Sequence, residues 1–322
     1  MIRSQYKGLV VGGGLMGARL GRPGDLVPTC HAGAIFSCPE TELCAICDPY
    51  PSEEIGIWDV PIVESLDAAL SQFNPDFAVV AVPEEGQYDV LRKLAKSNIR
   101  LAVAEKPLAQ TIEEARDIVD LYRSSGKHLV VNLSRRYSQM YLRLSNSFAD
   151  GSEQVISATI HYAKGLRHNG VHALDLANML FGDVLEYIPL FSRADYKGSD
   201  PSVAMYLKMQ LCPQVIFSVL DDKFYTHFEV DIFTNKRRYV IDQDHRRLSV
   251  SELVSETGIP PGNRLVQSAS ENTDYDSALS SLVANVVDVL NGDGQPVCTG
   301  EKALVSMEMA CNILEKVLHA AD

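Results

Sequence analysis

The sequence lacks the long apolar runs and the basic surplus that mark two large classes of protein. No stretch approaches the ~18 continuous apolar residues that cross a bilayer, so we expect no membrane-spanning segment and no membrane partner. Lys and Arg number 29 against 42 Asp and Glu, which gives a net charge of −13. Because such a chain repels polyanions, we expect no nucleic-acid partner.

A cysteine framework and a secretory leader are also missing. The seven cysteines are odd in number and widely scattered, which is typical of reduced thiols in a cytosolic protein. Cys44 and Cys47 form one C-x-x-C without a second, and residues three apart on a strand point to opposite faces, so we predict no metal site there. The apolar residues 8–11 are followed by glycines and by no plausible cleavage site. We interpret them as a first strand and expect a cytoplasmic protein.

What is present is the composition of a globular protein, with 46% hydrophobic and 22% charged residues. A length of 322 residues suggests two ordinary domains. Up to residue 131, short apolar runs alternate with helical patterns, which is typical of a parallel sheet wrapped by helices. We therefore predict an α/β domain with a doubly wound parallel sheet over residues 1–132. Its predicted strands are 8–11, 43–47, 60–63, 77–82, 100–104 and 128–131.

The pattern changes after residue 137. Four strand-like runs, 204–207, 215–219, 228–232 and 238–241, follow one another without helices between them. This order favours an antiparallel sheet, so we predict an α+β domain with a large, mostly antiparallel open sheet over residues 133–322. Residues 255–273 are polar and contain Gly and Pro, which predicts a long surface loop. Helical patterns over residues 275–290 and 301–318 close the chain.

The strongest local signal is a G-x-G-x-x-G at Gly12, Gly14 and Gly17, directly after the first strand and at the predicted start of a helix. Glycines let the backbone turn tightly and approach a pyrophosphate, whose charge meets N–H groups at the helix start. We expect this turn, including Leu15 and Met16, to bind a dinucleotide. The alternative is a glycine-rich turn that binds no ligand.

Asp48 ends the second strand, where a carboxylate accepts hydrogen bonds from an adenosine ribose and repels a 2′-phosphate. The sequence therefore favours NAD over NADP. Asp48 lies 31 residues after Gly17, more than the usual ~20, and residues 21–29 resemble an insertion. Either this insertion folds over the cofactor, with Arg19 or Arg22 near the pyrophosphate, or it is a solvated loop.

Three further segments follow strands at the carboxyl edge, where such sheets bind ligands. Val82 and Pro83 follow the fourth strand, 105–107 the fifth, and 135–137 the last. A lysine at this edge can reach a nicotinamide and a substrate hydroxyl, and Pro107 can hold the turn through a cis bond.

Together these residues resemble the Gfo/Idh/MocA family, the glucose-fructose oxidoreductase and inositol dehydrogenase group. The resemblance also includes residues 132–137, the run 170–182 and the run 295–303 before the last helix. It implies a Rossmann domain that binds NAD(P) and a second domain for substrate contact and oligomerisation, as a homodimer or homotetramer. The implied reaction is oxidation or reduction of a carbinol carbon on a sugar, cyclitol or related polyol.

The resemblance also implies roles for individual residues. Lys106 becomes the group that hydrogen-bonds the reacting hydroxyl, and His172 becomes the acid/base, a role that suits an unperturbed pKa of ~6.5. The cofactor is expected to contact Val82, Pro83, Glu105 and Lys106, and the substrate to contact Arg136, His168, Asn169 and His172.

Two positions depart from the family pattern. His168 stands where the family usually has an aspartate four residues before His172, and Gln87 stands where many relatives carry histidine. Two other functions therefore stay open: a dinucleotide-binding regulator without chemistry, and a lyase or hydrolase that uses NAD transiently. His168, His172 and Asp175 share one helix face at i, i+4 and i+7, which permits a metal ion, but no further ligand motif is present and no metal is predicted.

Overall fold

Two compact units make up the structure. The computed structural model describes residues 5–242, 244–256 and 262–319, without the side chains of residues 256 and 319. The first unit runs to Tyr137 and includes Asp276–Val305, and the second contains Ser138–Tyr275 and the chain from Ser306 onward. No sequence pattern pointed to the return of the chain to the first unit at Asp276. The domain boundary at residues 132 and 133 stays a prediction.

The first unit is built on a six-stranded parallel sheet, in the order β3-β2-β1-β4-β5-β6. The predicted doubly wound sheet and its six strands are confirmed. The interior strands β4 and β5 are buried along their whole length, which explains why their residues form continuous apolar runs in the sequence. The strands are β1 (Tyr6–Val11), β2 (Thr41–Cys47), β3 (Ile62–Val63), β4 (Phe77–Val80), β5 (Leu101–Ala104) and β6 (His128–Val131).

The two cysteines of the C-x-x-C lie on β2 and are buried. Burial raises the pKa of the Cys44 thiol and that of the Cys47 thiol, each to about 11. A reactive or metal-binding thiol needs a lowered pKa. The pair therefore belongs to the core.

Helices connect these strands and begin and end at local caps. In α4, Thr111 and Glu114 form a capping box, in which each side chain bonds the backbone N–H of the other. Gly126 ends the same helix with a φ of +67°, a conformation that favours glycine. The helices of this unit are α1 (His31–Ser37), α2 (Leu66–Phe73), α3 (Glu84–Ala95), α4 (Ile112–Ser125) and α7 (Ala278–Asn291).

The helix expected directly after the glycine motif is wrong in extent. Leu15–Arg19 forms one wide π-helical turn of five residues, and the chain then runs irregularly until α1 begins at His31. The insertion separates the turn from the regular helix, because Gly21, Pro23 and Gly24 interrupt helical periodicity.

The second unit contains an eight-stranded sheet in the order β14-β13-β12-β11-β7-β10-β9-β8. Only the β7–β10 pair is parallel and the other pairs are antiparallel, so the predicted mostly antiparallel sheet is confirmed. The strands are β7 (Val155–Tyr162), β8 (Val184–Arg193), β9 (Ser202–Met209), β10 (Val215–Val219), β11 (Glu229–Thr234), β12 (Arg237–Asp242), β13 (Arg247–Glu256) and β14 (Gly262–Asn272).

The loop predicted over residues 255–273 is wrong where the structure describes it. β13 continues to Glu256 and β14 covers Gly262–Asn272, while residues 257–261 lie outside the described residues. Every residue of β14 is exposed, so the strand needs no apolar face and shows no alternating pattern. The strand β8 was missed for a similar reason, because Leu185, Leu190 and Phe191 are exposed and do not alternate with polar residues.

Helices α5 (Gln139–Ala149) and α6 (Val171–Phe181) also belong to the second unit, and α8 (Gly300–His319) is the last helix described. α6 buries Leu176, Leu180 and Phe181 in the core of this unit. Across the described ranges, no helix has both the length and the apolar character that crossing a membrane requires.

Candidate functional site

The glycine turn follows β1 and requires glycine at two positions for steric reasons. Gly12 has a φ of +99°, and a Cβ there would lie 2.4 Å from the carbonyl oxygen of Ala81. A Cβ on Gly17 would lie 1.8 Å from the carbonyl oxygen of Gly12. These two glycines therefore let β1, the end of β4 and the wide turn approach one another closely.

Gly14 serves a different purpose, because a Cβ there would have no atom within 4 Å. Its neighbours Leu15 and Met16 are exposed. The first hydrogen bond of the wide turn runs from the N–H of Ala18 to the carbonyl oxygen of Gly14, so the N–H groups before Ala18 have no partner within the turn itself. Open space next to such N–H groups fits the pyrophosphate of a dinucleotide.

Asp48 follows β2 and is fixed by two backbone amides. The N–H of Gly13 donates to Oδ2 at 2.7 Å, and the N–H of Tyr50 donates to Oδ1 at 2.8 Å. The carboxylate is thus held against the glycine turn, at the carboxyl edge of two neighbouring strands. A ribose bound beside the turn would meet an oriented negative charge here.

Two contacts anchor the wide turn that precedes the insertion. Arg19 forms an ion pair with Glu54, and the indole N–H of Trp58 donates to the carbonyl oxygen of Ala18 at 2.8 Å. These contacts tie the wide turn to the segment after β2. Arg22, within the insertion, is exposed.

The turn after β5 contains a cis peptide bond between Lys106 and Pro107, as the sequence suggested. Gln87 of α3 is buried, and its side-chain amide lies within hydrogen-bond distance of the carbonyl oxygens of Glu105 (2.7 Å), Pro107 (2.6 Å) and Leu108 (3.1 Å). An amide group has two hydrogens to share among these acceptors. Gln87 therefore holds the backbone of the turn on both sides of Lys106.

The Glu105 carboxylate is held by donors on both oxygens. Oε1 accepts hydrogen bonds from Nε2 of His31 at 2.7 Å and from Nδ2 of Asn132 at 2.8 Å, and Oε2 accepts the backbone N–H of Lys106 at 3.2 Å. Burial alone would raise the pKa of Glu105, but these donors outweigh it and hold that pKa below its usual range. The group is therefore a fixed, charged carboxylate beside Lys106.

The remaining predicted residues of the first unit lie at the carboxyl ends of β4 and β6. Val82 is half-buried and Pro83 is exposed at the start of α3. Arg136 lies in the short 3₁₀ turn Ser134–Tyr137 after β6 and is buried. The structure thus gathers the candidate cofactor residues at one edge of the sheet, where doubly wound folds bind ligands.

In the second unit, His168 and Asn169 lie in a wide π-helical turn, Leu166–Gly170, and His172 lies at the start of α6. The three residues expected on one helix face are therefore divided between this turn, which contains His168, and α6, which contains His172 and Asp175. Asp175 is buried. Among the residues that the structure describes, no three His, Cys, Asp or Glu side chains form a group able to hold a metal ion.

Two buried carboxylates shape this turn from the segment before β9. Oδ1 of Asp200 accepts the N–H of Arg167 at 2.7 Å, and Oδ2 accepts the N–H of His168 at 2.9 Å. Asp195 accepts the N–H of Lys164 at 2.7 Å. Burial raises the pKa of the Asp200 carboxyl, although the hydrogen bonds that it accepts from the N–H groups of Arg167 and His168 act in the opposite direction.

An aromatic contact places the His168 ring. Its centroid lies 4.7 Å from that of Tyr196, with the two ring planes 29° apart, which is a stacked arrangement. Asn169 donates to the carbonyl oxygen of Ala163 at 2.9 Å, so its amide supports the backbone of the turn.

Sequence reasoning did not relate several of these supporting residues to the site. Nothing in the spacing of His31, Asn132 or Gln87 relates them to the turn at Glu105, and Tyr196 and Asp200 lie in an irregular segment. One weak signal could have indicated these residues. Each is a polar or aromatic residue near the end of a strand or helix, where binding residues concentrate.

Comparison with known proteins finds a family model that matches the first part of the chain. The model of the Gfo/Idh/MocA oxidoreductase family, with its NAD-binding Rossmann fold, matches residues 7–133. The chain is 27% identical over 157 residues to a D-glucoside 3-dehydrogenase from Escherichia coli (strain K12), which covers 46% of this chain and 42% of that protein. It is 25% identical over 199 residues to a D-apiose dehydrogenase from Paraburkholderia graminis, which covers 55% and 53%. These alignments span about half the length of the curated relatives or less.

Solved structures share the fold over nearly the whole chain. The WlbA dehydrogenase from Bordetella pertussis, in complex with NADH and UDP-GlcNAcA, has a TM-score of 0.76 at 17% identity and covers 99% of this chain and 97% of that chain. An oxidoreductase from Agrobacterium radiobacter, in complex with NAD+, L-tartaric acid and magnesium, has a TM-score of 0.73 at 17% identity and covers 95% and 94%. At these identities the likeness shows the fold alone. Residues 7–133 thus match the NAD-binding Rossmann domain of the Gfo/Idh/MocA oxidoreductase family.

Proposed function

We propose that this chain is an NAD-dependent dehydrogenase or reductase that acts on a hydroxyl or carbonyl carbon of a sugar, cyclitol or related polyol. The proposal rests on one observation: the glycine turn of residues 12–17 holds Asp48, whose Oδ2 accepts the N–H of Gly13 at 2.7 Å. The names of the curated relatives, a D-glucoside 3-dehydrogenase and a D-apiose dehydrogenase, support a sugar-like substrate.

In the proposed mechanism the glycine turn and Asp48 would hold the nicotinamide cofactor, which would supply the hydride acceptor or donor for the carbinol carbon. Lys106 donates a hydrogen bond to the reacting oxygen and stabilises negative charge that develops there. His172 takes the hydroxyl proton in oxidation and returns it in reduction. Arg136, His168 and Asn169 contact the substrate. The fixed charge of Glu105 beside Lys106 and the hydrogen bonds from Gln87 support the role of this lysine.

NAD is the proposed cofactor in preference to NADP. The Asp48 carboxylate has both oxygens occupied by backbone donors, so it cannot rotate away without losing those hydrogen bonds. A 2′-phosphate bound next to it would face a negative charge, whereas a ribose hydroxyl can donate to it.

We also propose that the chain forms a homodimer or homotetramer through the sheet of the second unit. Leu185, Leu190 and Phe191 lie on β8, an edge strand of that sheet, and each is more than half exposed. Exposed apolar surface on one element favours an interface. Light scattering of the purified protein measures the assembly, and a monomer at all concentrations tested contradicts this part of the proposal.

The first experiment is the thermal midpoint of the purified protein with and without NAD, NADH, NADP and NADPH. A ligand at 100 times its Kd adds about 2.7 kcal/mol of stability, so NAD or NADH should raise the midpoint clearly more than their phosphorylated forms do. If no dinucleotide shifts the midpoint of protein shown to carry none, the glycine turn is structural and the proposal fails.

The second experiment measures hydride exchange by NADH absorbance with glucosides, apiose, inositols and related polyols. Turnover with any of them supports the enzyme. A protein that binds NAD but exchanges hydride with none of them is instead the non-catalytic dinucleotide-binding regulator. A cofactor that stays tightly bound through purification and is reduced and reoxidised within one turnover indicates the lyase or hydrolase.

A further inference from the structure

His31 is brought to the turn after β5 by the irregular segment that follows the glycine motif. It is the first residue of α1, its side chain is fully buried, and its Nε2 lies 2.7 Å from Oε1 of Glu105. The Glu105 side chain is 13% exposed, so this contact lies in a largely dry environment, where a hydrogen bond to a charge is strong.

The hydrogen atom of this bond can be assigned from its partner. A charged carboxylate has no hydrogen to give, so Nε2 of His31 must carry the hydrogen and donate it. Oε1 of Glu105 then accepts from both His31 and Asn132, which fixes the plane of the carboxylate. Its other oxygen is thereby aimed at the backbone N–H of Lys106, 3.2 Å away.

The other ring nitrogen of His31 shows that stability alone does not account for this residue. Nδ1 is buried and has no hydrogen-bond partner among the residues that the structure describes. Leaving a buried polar atom unsatisfied destabilises the fold, and such local costs are typical of functional sites. An apolar side chain of similar volume would avoid that cost but would lose the donor to Glu105.

We propose that His31 is a positioning residue for Lys106, acting through the carboxylate of Glu105. It sets the position of the lysine at the reacting oxygen, while Gln87 holds the carbonyl groups of the same turn from α3. The inference rests on the proposed function, because it assigns His31 to the same reaction. The path of the irregular residues 20–30 brings the His31 donor to the turn after β5.

The test compares three variants. His31→Leu removes the donor, and His31→Gln retains an N–H donor near the place of Nε2. Cys30→Ala is the control, because Cys30 is the neighbouring buried cap of α1 and its thiol accepts the N–H of Gly33. With a turned-over sugar, we expect His31→Leu to lower kcat about tenfold or more, as misplacement of a reacting group does. The Kd for NADH should stay within about twofold. His31→Gln should recover most of kcat, and Cys30→Ala should change neither quantity.

A second measurement observes Lys106 without turnover. The lysines are reductively methylated with ¹³C-formaldehyde, and the Lys106 signal is assigned by its absence in Lys106→Ala. We expect this signal to move in His31→Leu, to return in His31→Gln and to stay in place in Cys30→Ala. Asn132→Leu removes the other donor to Oε1 and should also move it, which covers the case in which His31→Leu does not fold.

The outcomes separate the inference from the function on which it rests. A Lys106 signal that stays in place in folded His31→Leu, or in folded Asn132→Leu, overturns the inference, whether or not the protein turns over a sugar. The inference is also overturned if His31→Leu lowers kcat and His31→Gln does not restore it. If the unvaried chain binds no dinucleotide, the proposed function fails, and the Lys106 signal alone then decides whether His31 positions this lysine.

Discussion

The N–H of Gly13 donates to Oδ2 of Asp48 at 2.7 Å, so the acid at the end of β2 is fixed by the same turn that is proposed to bind the pyrophosphate. This contact links cofactor binding and cofactor choice. Asp48→Ala should raise the Kd for NADH about tenfold, because it removes the ribose acceptor and the partner of the Gly13 N–H. The Kd for NADPH should change less, so the preference for NADH should shrink.

Calorimetric titration of both cofactors checks this prediction. Asp76→Ala is the matched control, because Asp76 accepts the backbone N–H of Lys7 at 2.8 Å at the opposite end of the sheet. It should leave both Kd values unchanged. An Asp48→Ala protein with an undiminished preference for NADH would contradict the assignment of Asp48 to the ribose.

Lys106→Ala should abolish turnover while leaving cofactor binding largely intact. The lysine acts on the reacting oxygen in the proposed mechanism, so its loss should lower kcat/KM about a thousandfold. Lys106→Arg keeps a positive charge but changes the shape of the donor, and should recover only a small part. Turnover by Lys106→Ala close to that of the unvaried protein would show that another group serves this role.

Gln87→Leu should destabilise the first unit by about 2 kcal/mol. The variant keeps the approximate volume of the side chain but removes an amide that lies within 3.1 Å of three carbonyl oxygens, and buried acceptors left without donors are costly. Urea unfolding at 25 °C measures the loss. The neighbouring Tyr88→Phe removes only an exposed hydroxyl contact to Asp117 and should stay within about 0.5 kcal/mol; an equal effect of both variants would contradict the role of Gln87.

The fold was predictable where burial leaves a mark on the sequence. β4 and β5 are buried on both faces, so their residues form apolar runs that identify a parallel sheet. The strand β14 is exposed throughout and its polar residues carry no such pattern, so only pairing with β13 makes it a strand. Sequence periodicity therefore reveals strands that bury side chains, but it does not reveal a strand that is stabilised only by pairing with its neighbour.

The candidate site was predictable where function lies next to a strand end. The glycine turn and Asp48 each directly follow a strand, so the topology of the sheet brings them together. His31 and Glu105 are 74 residues apart, and the contact depends on the path of residues 20–30, which no periodicity describes. Such long-range polar contacts are set by tertiary packing and need coordinates.

Stability of the second unit should depend on pH through Glu153. Its carboxylate accepts hydrogen bonds from Arg237 (2.6 Å), Tyr239 (2.6 Å) and Thr234 (2.7 Å). Burial alone would raise the pKa of Glu153, but these donors outweigh it and hold that pKa below its usual value of 4.5. Because the pKa is lower in the folded state, the stabilisation is fully present above pH 4.5 and is lost as the pH falls below that value.

Urea unfolding between neutral pH and acid measures this dependence. Glu153→Gln should lower stability at neutral pH and flatten its decline in acid. The control is Glu252→Gln, since Glu252 bonds the same arginine at 3.2 Å but is half exposed, and it should change little. A Glu153→Gln protein with the same acid slope as the unvaried chain would contradict the prediction.

Gly14→Ala and Gly17→Ala should separate the ligand role of the glycine turn from its structural role. A methyl group at Gly17 would lie 1.8 Å from the carbonyl oxygen of Gly12, so Gly17→Ala should destabilise the unit by about 2 kcal/mol through overpacking. A methyl group at Gly14 meets no atom within 4 Å and φ there is −67°. The free energy of unfolding should therefore change by less than about 0.5 kcal/mol. The methyl group would instead occupy the space assigned to the pyrophosphate. The Kd for NADH should therefore rise about tenfold or more in Gly14→Ala despite unchanged stability, and an unchanged Kd would show that the dinucleotide does not lie over this turn.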